Sequence, residues 1–291
     1  MQIDTEIAYS YCKKLTLSHY ENFPVGSLLI PSNKRKYIYS IYAFARTADD
    51  IADSEIYSEE EKLKLLDGYE NELINIELKR PVSFNNETRN IFAALSNTTE
   101  ELKIPLKEFR DLLTAFRQDA VKQRYNEFDE LLNYSAYSAN PIGHLVLYVF
   151  EYDPVKDKKC FEYSDNICTA LQLTNFWQDV SVDLKINRIY IPERTMTEFN
   201  FNEKMLFDKT VNDDFRKMMK HLTERTKVLF EEGRKITDYV SGRLKYELRA
   251  TIAGGMEILS KIEKINYNVL AQRVTISNTD KLKLLVKAFT G

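Results

Sequence analysis

Apolar residues recur three and four positions apart along this chain, the spacing expected of helices that bury one face. Phe109, Leu112, Leu113 and Phe116 show it most plainly. Read together with start and stop signals, the pattern predicts helices over 4–19, 32–53, 58–79, 87–95, 106–124, 130–150, 157–182, 212–239, 246–265 and 280–289. Ser58-Glu-Glu-Glu61 is a capping box for the third of these, and Ser32 can cap the second. HYENFPVGSLLIP, with Pro24, Gly26 and Pro31, is a connection, and 187–194 is a polar loop. Pro141 falls inside the predicted helix 130–150, where a missing donor predicts a kink, and Gly143 permits close backbone approach there. Gly254-Gly255 would let a late helix pack tightly. There is no internal repeat, low-complexity tract or convincing linker, so one all-α domain over 1–291 is the economical expectation.

Two segments break the simple amphipathic rule in the same way. In YSIYAFARTADDIAD, Tyr42, Arg46, Asp49 and Asp53 follow 4-3-4 spacing and share one helix face. Asp50 lies about 100° away from Asp49 and is the weaker candidate for that face. In LQLTNFWQDVSVD, Gln172, Asn175, Asp179 and Asp183 follow 3-4-4 spacing. Each stripe is polar but embedded among residues that favour burial, and a buried carboxylate without a counter-charge is very costly. Carboxylate plus amide oxygen suits a hard cation, and Mg²⁺ favours a few carboxylates completed by substrate phosphates. The two stripes are therefore expected to face a common cavity in which Mg²⁺ bridges to a diphosphate. An ordinary solvated helix face is the alternative for either segment alone.

Composition narrows the class. Gly is 8 and Pro 7 in 291 residues, which favours long helices over a turn-rich β architecture. The net charge of −3 gives no basic character that would point to nucleic acid. Aromatic residues reach 12%, enough to line a cavity for an apolar ligand or a cation, although an aromatic core accounts for them as well. Cys12, Cys160 and Cys168 lack paired spacing and read as reduced thiols of a cytoplasmic protein. The N-terminal MQIDTEIAYSYCKKL lacks the apolar segment of a signal peptide. No run reaches the ~18 apolar residues of a membrane-spanning helix.

YAFARTADDIAD together with LTNFWQDVSVD resembles the squalene/phytoene synthase family, the head-to-head prenyl diphosphate synthases. AFRQDAVKQRY (115–125), NRIYIP (187–192) and YNVLAQRVTIS (267–277) resemble further motifs of that family in the same order. HYENFP (19–24), SANPIG (138–143) and NFWQD (175–179) look most like its bacterial hydroxysqualene synthase branch. Gln178 stands where the phytoene-synthase pattern usually has Arg, and Ala139-Asn140-Pro141 where it usually has a V-A-G run.

The resemblance implies an all-α isoprenoid synthase fold around a deep central cavity. It implies Mg²⁺, with Mn²⁺ as a substitute, held by Asp49, Asp53, Asn175, Asp179 and Asp183, the four aspartates being the catalytic set. His19, Tyr42, Arg46, Gln172, Gln178, Arg188, Tyr190 and Arg273 would bind the prenyl diphosphate, and Asp119 and Arg124 could also serve the site. Within the branch, presqualene diphosphate and water would give hydroxysqualene without NADPH. Asn140, Gln172 and Gln178 are candidates to hold that water. Other family products, namely presqualene diphosphate, squalene or a C40 precursor, are the alternative. A non-catalytic interaction protein of the same fold would be expected to erode its aspartates, and all four are intact. The expected partners are a small prenyl diphosphate, no nucleic acid, neighbouring squalene-pathway enzymes, and the inner face of a membrane in peripheral contact.

Overall fold

The computed structural model describes residues 4–18, 30–84 and 87–290. Every regular element among them is helical: α1 (Thr5–Ser18), α2 (Arg35–Asp53), α3 (Glu59–Glu77), α4 (Thr88–Leu102), α5 (Lys107–Val121), α6 (Phe128–Ser138) and α7 (Asn140–Val149). They continue with α8 (Lys158–Asp183), α9 (Glu193–Glu198), α10 (Glu203–Phe207), α11 (Asp213–Gly233), α12 (Gly242–Lys264) and α13 (Asn278–Thr290). None of these helices is long and apolar enough to cross a membrane. The chain divides into two compact units, Met1–Lys122 with Pro141–Lys158, and Gln123–Asn140 with Lys159–Gly291.

In the first unit α2 packs against α1, α3, α4 and α5. Its Ile38, Ile41, Phe44, Ala48 and Ala52 are buried. Phe44 meets Phe109 edge-on at 5.2 Å and Phe92 at 5.8 Å between ring centroids, a favoured aromatic geometry. This packing fixes the rotation of α2 about its axis, which in turn fixes where its polar stripe points. The capping box of Ser58 and Glu61 opens α3 as the sequence predicts. Basic residues at the start of α2 oppose the helix dipole, and protein groups answer each of them. Lys34 reaches the carbonyl of Val149 and the carboxylate of Glu151, Arg35 the carbonyl of Ile30, and Lys36 the carboxylate of Glu101. Ser32 is not the cap of α2: Lys34 is, without a side-chain bond.

In the second unit α8 runs through the core with Leu173, Phe176, Trp177 and Val180 buried. The indole of Trp177 donates to Thr226 of α11 at 2.8 Å, which gives its buried N–H a partner. A Cβ on Gly255 of α12 would collide with the Phe230 ring of α11, whereas Gly254 faces open space. The tight packing expected of the glycine pair therefore rests on Gly255 alone. Segments 123–126 and 189–194 run side by side, with Ile189, Glu193 and Arg194 donating backbone N–H groups to Gln123, Tyr125 and Asn126.

Further boundaries differ from the sequence expectation, among them three with a clear physical reason. The predicted helix 130–150 is two helices, ending at Ser138 and restarting at Asn140. Pro141 then sits in the first turn of α7, where a missing donor costs nothing, so the chain breaks where a kink was expected. α4 runs on to Leu102, because Thr98 is buried and bonded to Tyr9 and Ser40. α5 stops at Val121, leaving Arg124 outside any helix.

Candidate active site

On α2 the predicted stripe lies along the accessible edge of a helix otherwise packed into its unit. Ala43, Phe44, Ala48 and Ala52 are buried, while Tyr42, Arg46 and Asp49 are partly exposed and Asp53 is exposed. Arg46 pairs with Asp50 at 2.6 Å and approaches Asp49 at 3.9 Å. Asp50, the weaker candidate by helical phase, is thus the nearer partner, and the i,i+4 spacing of Arg46 and Asp50 was the available signal. Partial burial works against the charge of Arg46, but Asp50 and Asp49 outweigh it and raise its pKa. Burial likewise raises the pKa of the Tyr42 hydroxyl, with Arg46 opposing. The Nε of Arg46 is buried and has no hydrogen-bond partner. A buried guanidinium donor in that state marks a place where an acceptor oxygen would be stabilised.

On α8 the second stripe has the same character. Leu173, Thr174, Phe176, Trp177, Gln178 and Val180 are buried, whereas Gln172, Asn175, Asp179 and Asp183 are accessible. Asp179 is held by Arg273, whose Nη2 donates to one carboxylate oxygen at 3.1 Å while Nε donates to the other. That hydrogen bonding, against some burial, raises the pKa of Arg273, and Asp183 adds a smaller attraction. Asp183 and Arg188 line one small cavity with Phe176 and Tyr190. Tyr190 stacks on Phe176 with centroids 3.7 Å apart and planes 10° from parallel. Tyr125 and Tyr134 complete this aromatic cluster.

Several predicted residues are tied into the protein itself. Gln178 is buried away from the stripe and donates its amide to the carbonyl of Val274 at 2.6 Å. The side-chain oxygen of Asn140 accepts from Thr169 at 3.0 Å. Arg124 grips both oxygens of Glu203 and reaches Asn187, a structural clamp on the 187–192 loop. Asp119 is buried in α5. His144 bonds Glu108 at 2.9 Å. His19 lies outside the described residues.

The donor sets of both stripes are all oxygen and all solvent-accessible, which suits a hard divalent cation. Among the described residues no three His, Cys, Asp or Glu side chains form a ready-made cage. That is compatible with Mg²⁺, which uses one or two carboxylates and takes its remaining ligands from water and phosphate.

The family model for squalene/phytoene synthase matches residues 17–280. The crystal structure of squalene synthase HpnC from Alicyclobacillus acidocaldarius is 33% identical, with a TM-score of 0.82 over 92% of this chain and 98% of that one. A dehydrosqualene synthase crystallised with a ligand shares the fold at a TM-score of 0.81 and 22% identity, over 98% of this chain and 96% of its own. Phytoene synthase 1 of Arabidopsis thaliana is 29% identical over 97% of this chain and 66% of its own length.

Proposed function

Because the chain belongs to the squalene/phytoene synthase family, we propose that it is an enzyme converting presqualene diphosphate and water to hydroxysqualene and diphosphate. The coarser statement, prenyl diphosphate chemistry on the all-α isoprenoid synthase fold, follows from the family itself. The observation that supports the diphosphate chemistry is the pair of accessible carboxylate stripes on otherwise buried helix faces, each paired with an arginine, and the water-quenching branch rests on the resemblance of HYENFP, SANPIG and NFWQD.

Asp49 and Asp53 in the first unit, and Asn175, Asp179 and Asp183 in the second, would hold Mg²⁺ or Mn²⁺. When bound, the cation offsets the charge that develops on the leaving diphosphate. Arg46 and Arg273 present planar forks suited to phosphate oxygens, with His19, Tyr42, Gln172 and Arg188 as further contacts. The carbon–oxygen bond to diphosphate breaks and the electron pair leaves with the diphosphate. The cyclopropylcarbinyl cation opens and rearranges, water adds through its oxygen, and the released proton passes to the diphosphate. No hydride is needed, so no NADPH is expected. Aromatic faces can stabilise such a cation. Asn140 supports the branch assignment through its place in SANPIG, as Gln178 does through its place in NFWQD.

We assign the protein to the cytoplasm, in transient contact with the inner face of a membrane and with neighbouring squalene-pathway enzymes, because substrate and product are both very apolar. The test is the product. Purified enzyme given presqualene diphosphate, Mg²⁺ and no NADPH should make hydroxysqualene, with ¹⁸O from labelled water in the alcohol, and farnesyl diphosphate should be a poor substrate. Presqualene diphosphate made from farnesyl diphosphate, or squalene made only with NADPH, would replace this branch by another of the same family.

A further inference from the structure

The coil between α12 and α13 is pinned at several points. Gln178 holds the carbonyl of Val274, Lys261 holds the carbonyl of Thr275 at 2.8 Å, and Asp280 takes the backbone N–H and hydroxyl of Ser277 together with the ammonium of Lys261. Arg273 begins this stretch, and its side chain is 43% exposed. Both oxygens of Asp179 accept from its guanidinium. The central carboxylate of the second stripe is therefore already occupied, by a cation that belongs to the protein.

We propose that Arg273 gates metal binding at Asp179, releasing the carboxylate only when a diphosphate offers its guanidinium other oxygens. The proposal rests on the metal reading given under Proposed function. A bare divalent cation must displace a two-point, charge-assisted pair, one of the stronger side-chain contacts. A cation arriving with diphosphate brings replacement acceptors of matching geometry for the same fork. Metal and anion then bind with positive coupling, and the coupling is reciprocal. Gln178 is a positioning residue in this scheme: its buried bond to Val274 fixes the backbone from which Arg273 reaches Asp179. Arg46 is not equivalent, because its partners lie on its own helix.

The test is Mn²⁺ binding to the full chain, followed by electron paramagnetic resonance without diphosphate and then with inorganic diphosphate. Arg273→Gln should bind Mn²⁺ alone about tenfold tighter than wild type, the scale of a lost charged hydrogen bond. Arg273→Lys should also bind it tighter, by roughly threefold, because the charge stays and the second point of contact goes. Asp179→Asn should erase both gains, and diphosphate should tighten Mn²⁺ binding more in wild type than in Arg273→Gln. Arg273→Lys unchanged from wild type beside a tighter Arg273→Gln would mean a plain field effect and overturn the gate, as would equal or weaker binding by both. If Arg273→Gln fails to fold, the lysine variant alone decides, and no gain there overturns the gate. No Mn²⁺ binding by any variant, with or without diphosphate, would overturn the metal reading itself.

Discussion

The two carboxylate stripes have nearly the same spacing and differ in what neutralises them. On α2 a local counter-charge is present, Arg46 lying one turn before Asp49 and Asp50 on the same helix. On α8 it comes from Arg273, 94 residues further along the chain, on a coil held by Gln178, Lys261 and Asp280. The first pair needs only a helix, and exposed pairs at such spacing are worth about 0.3–0.5 kcal/mol. The second needs the packed unit around it. Stripes of similar spacing can thus be poised differently: Arg46 meets its carboxylates on its own helix, while Asp179 meets its arginine only through tertiary structure.

The comparison is broken most severely by removing a carboxylate charge. Under the proposed reaction Asp49→Asn and Asp179→Asn should each lower turnover at least about 10²-fold, because each would remove charge that steadies the leaving diphosphate through a bound cation. The circular dichroism spectrum should be kept in both, and the melting temperature should change little for Asp49→Asn but fall for Asp179→Asn, which loses the paired contact with Arg273. A large loss on one stripe with full activity on the other would end the claim that both serve the ionisation.

A smaller effect is expected of Arg46→Lys, which keeps the charge and loses the fork. It should lower kcat/KM about tenfold, as loss of one charged hydrogen bond does. Unchanged kinetics would place Arg46 away from the diphosphate.

The smallest effect concerns the tertiary anchoring of the second stripe. Lys261 first, and then Ser277, hold the Asp280 carboxyl below its ordinary range. A depressed carboxylate pKa stabilises the fold above the unfolded value of about 3.9 and loses that contribution as pH falls below it. The melting temperature of Asp280→Asn should therefore lie below that of wild type at pH 7, and the gap should narrow below about pH 4. A gap that widens with acid would mean that the aspartate is not held as its partners imply.

What the sequence made legible was local. The stripe on α8 and the capping box of Ser58 both follow from spacing and residue type. The break before Pro141 needed knowledge of which turn the proline occupies, and helix period alone does not supply it. α10 is five residues long, too short for a periodic signal, although the Asn202 side chain that caps it is an ordinary start signal. The partner of Asp179 was beyond reach for a different reason: Arg273 could be named as a diphosphate contact by resemblance, but nothing local in 267–277 specifies a bond to a helix 94 residues earlier. Gln178 was expected beside the substrate, yet helical phase puts it off the stripe of Asn175, Asp179 and Asp183, on the face that α8 buries.

The central claim is that these two oxygen-lined stripes work through a divalent cation. The direct measurement is diphosphate release from presqualene diphosphate by the wild-type enzyme, first in excess chelator and then as Mg²⁺ or Mn²⁺ is restored. The account predicts no release in chelator, and recovery that follows the added metal. Full release in excess chelator would contradict it.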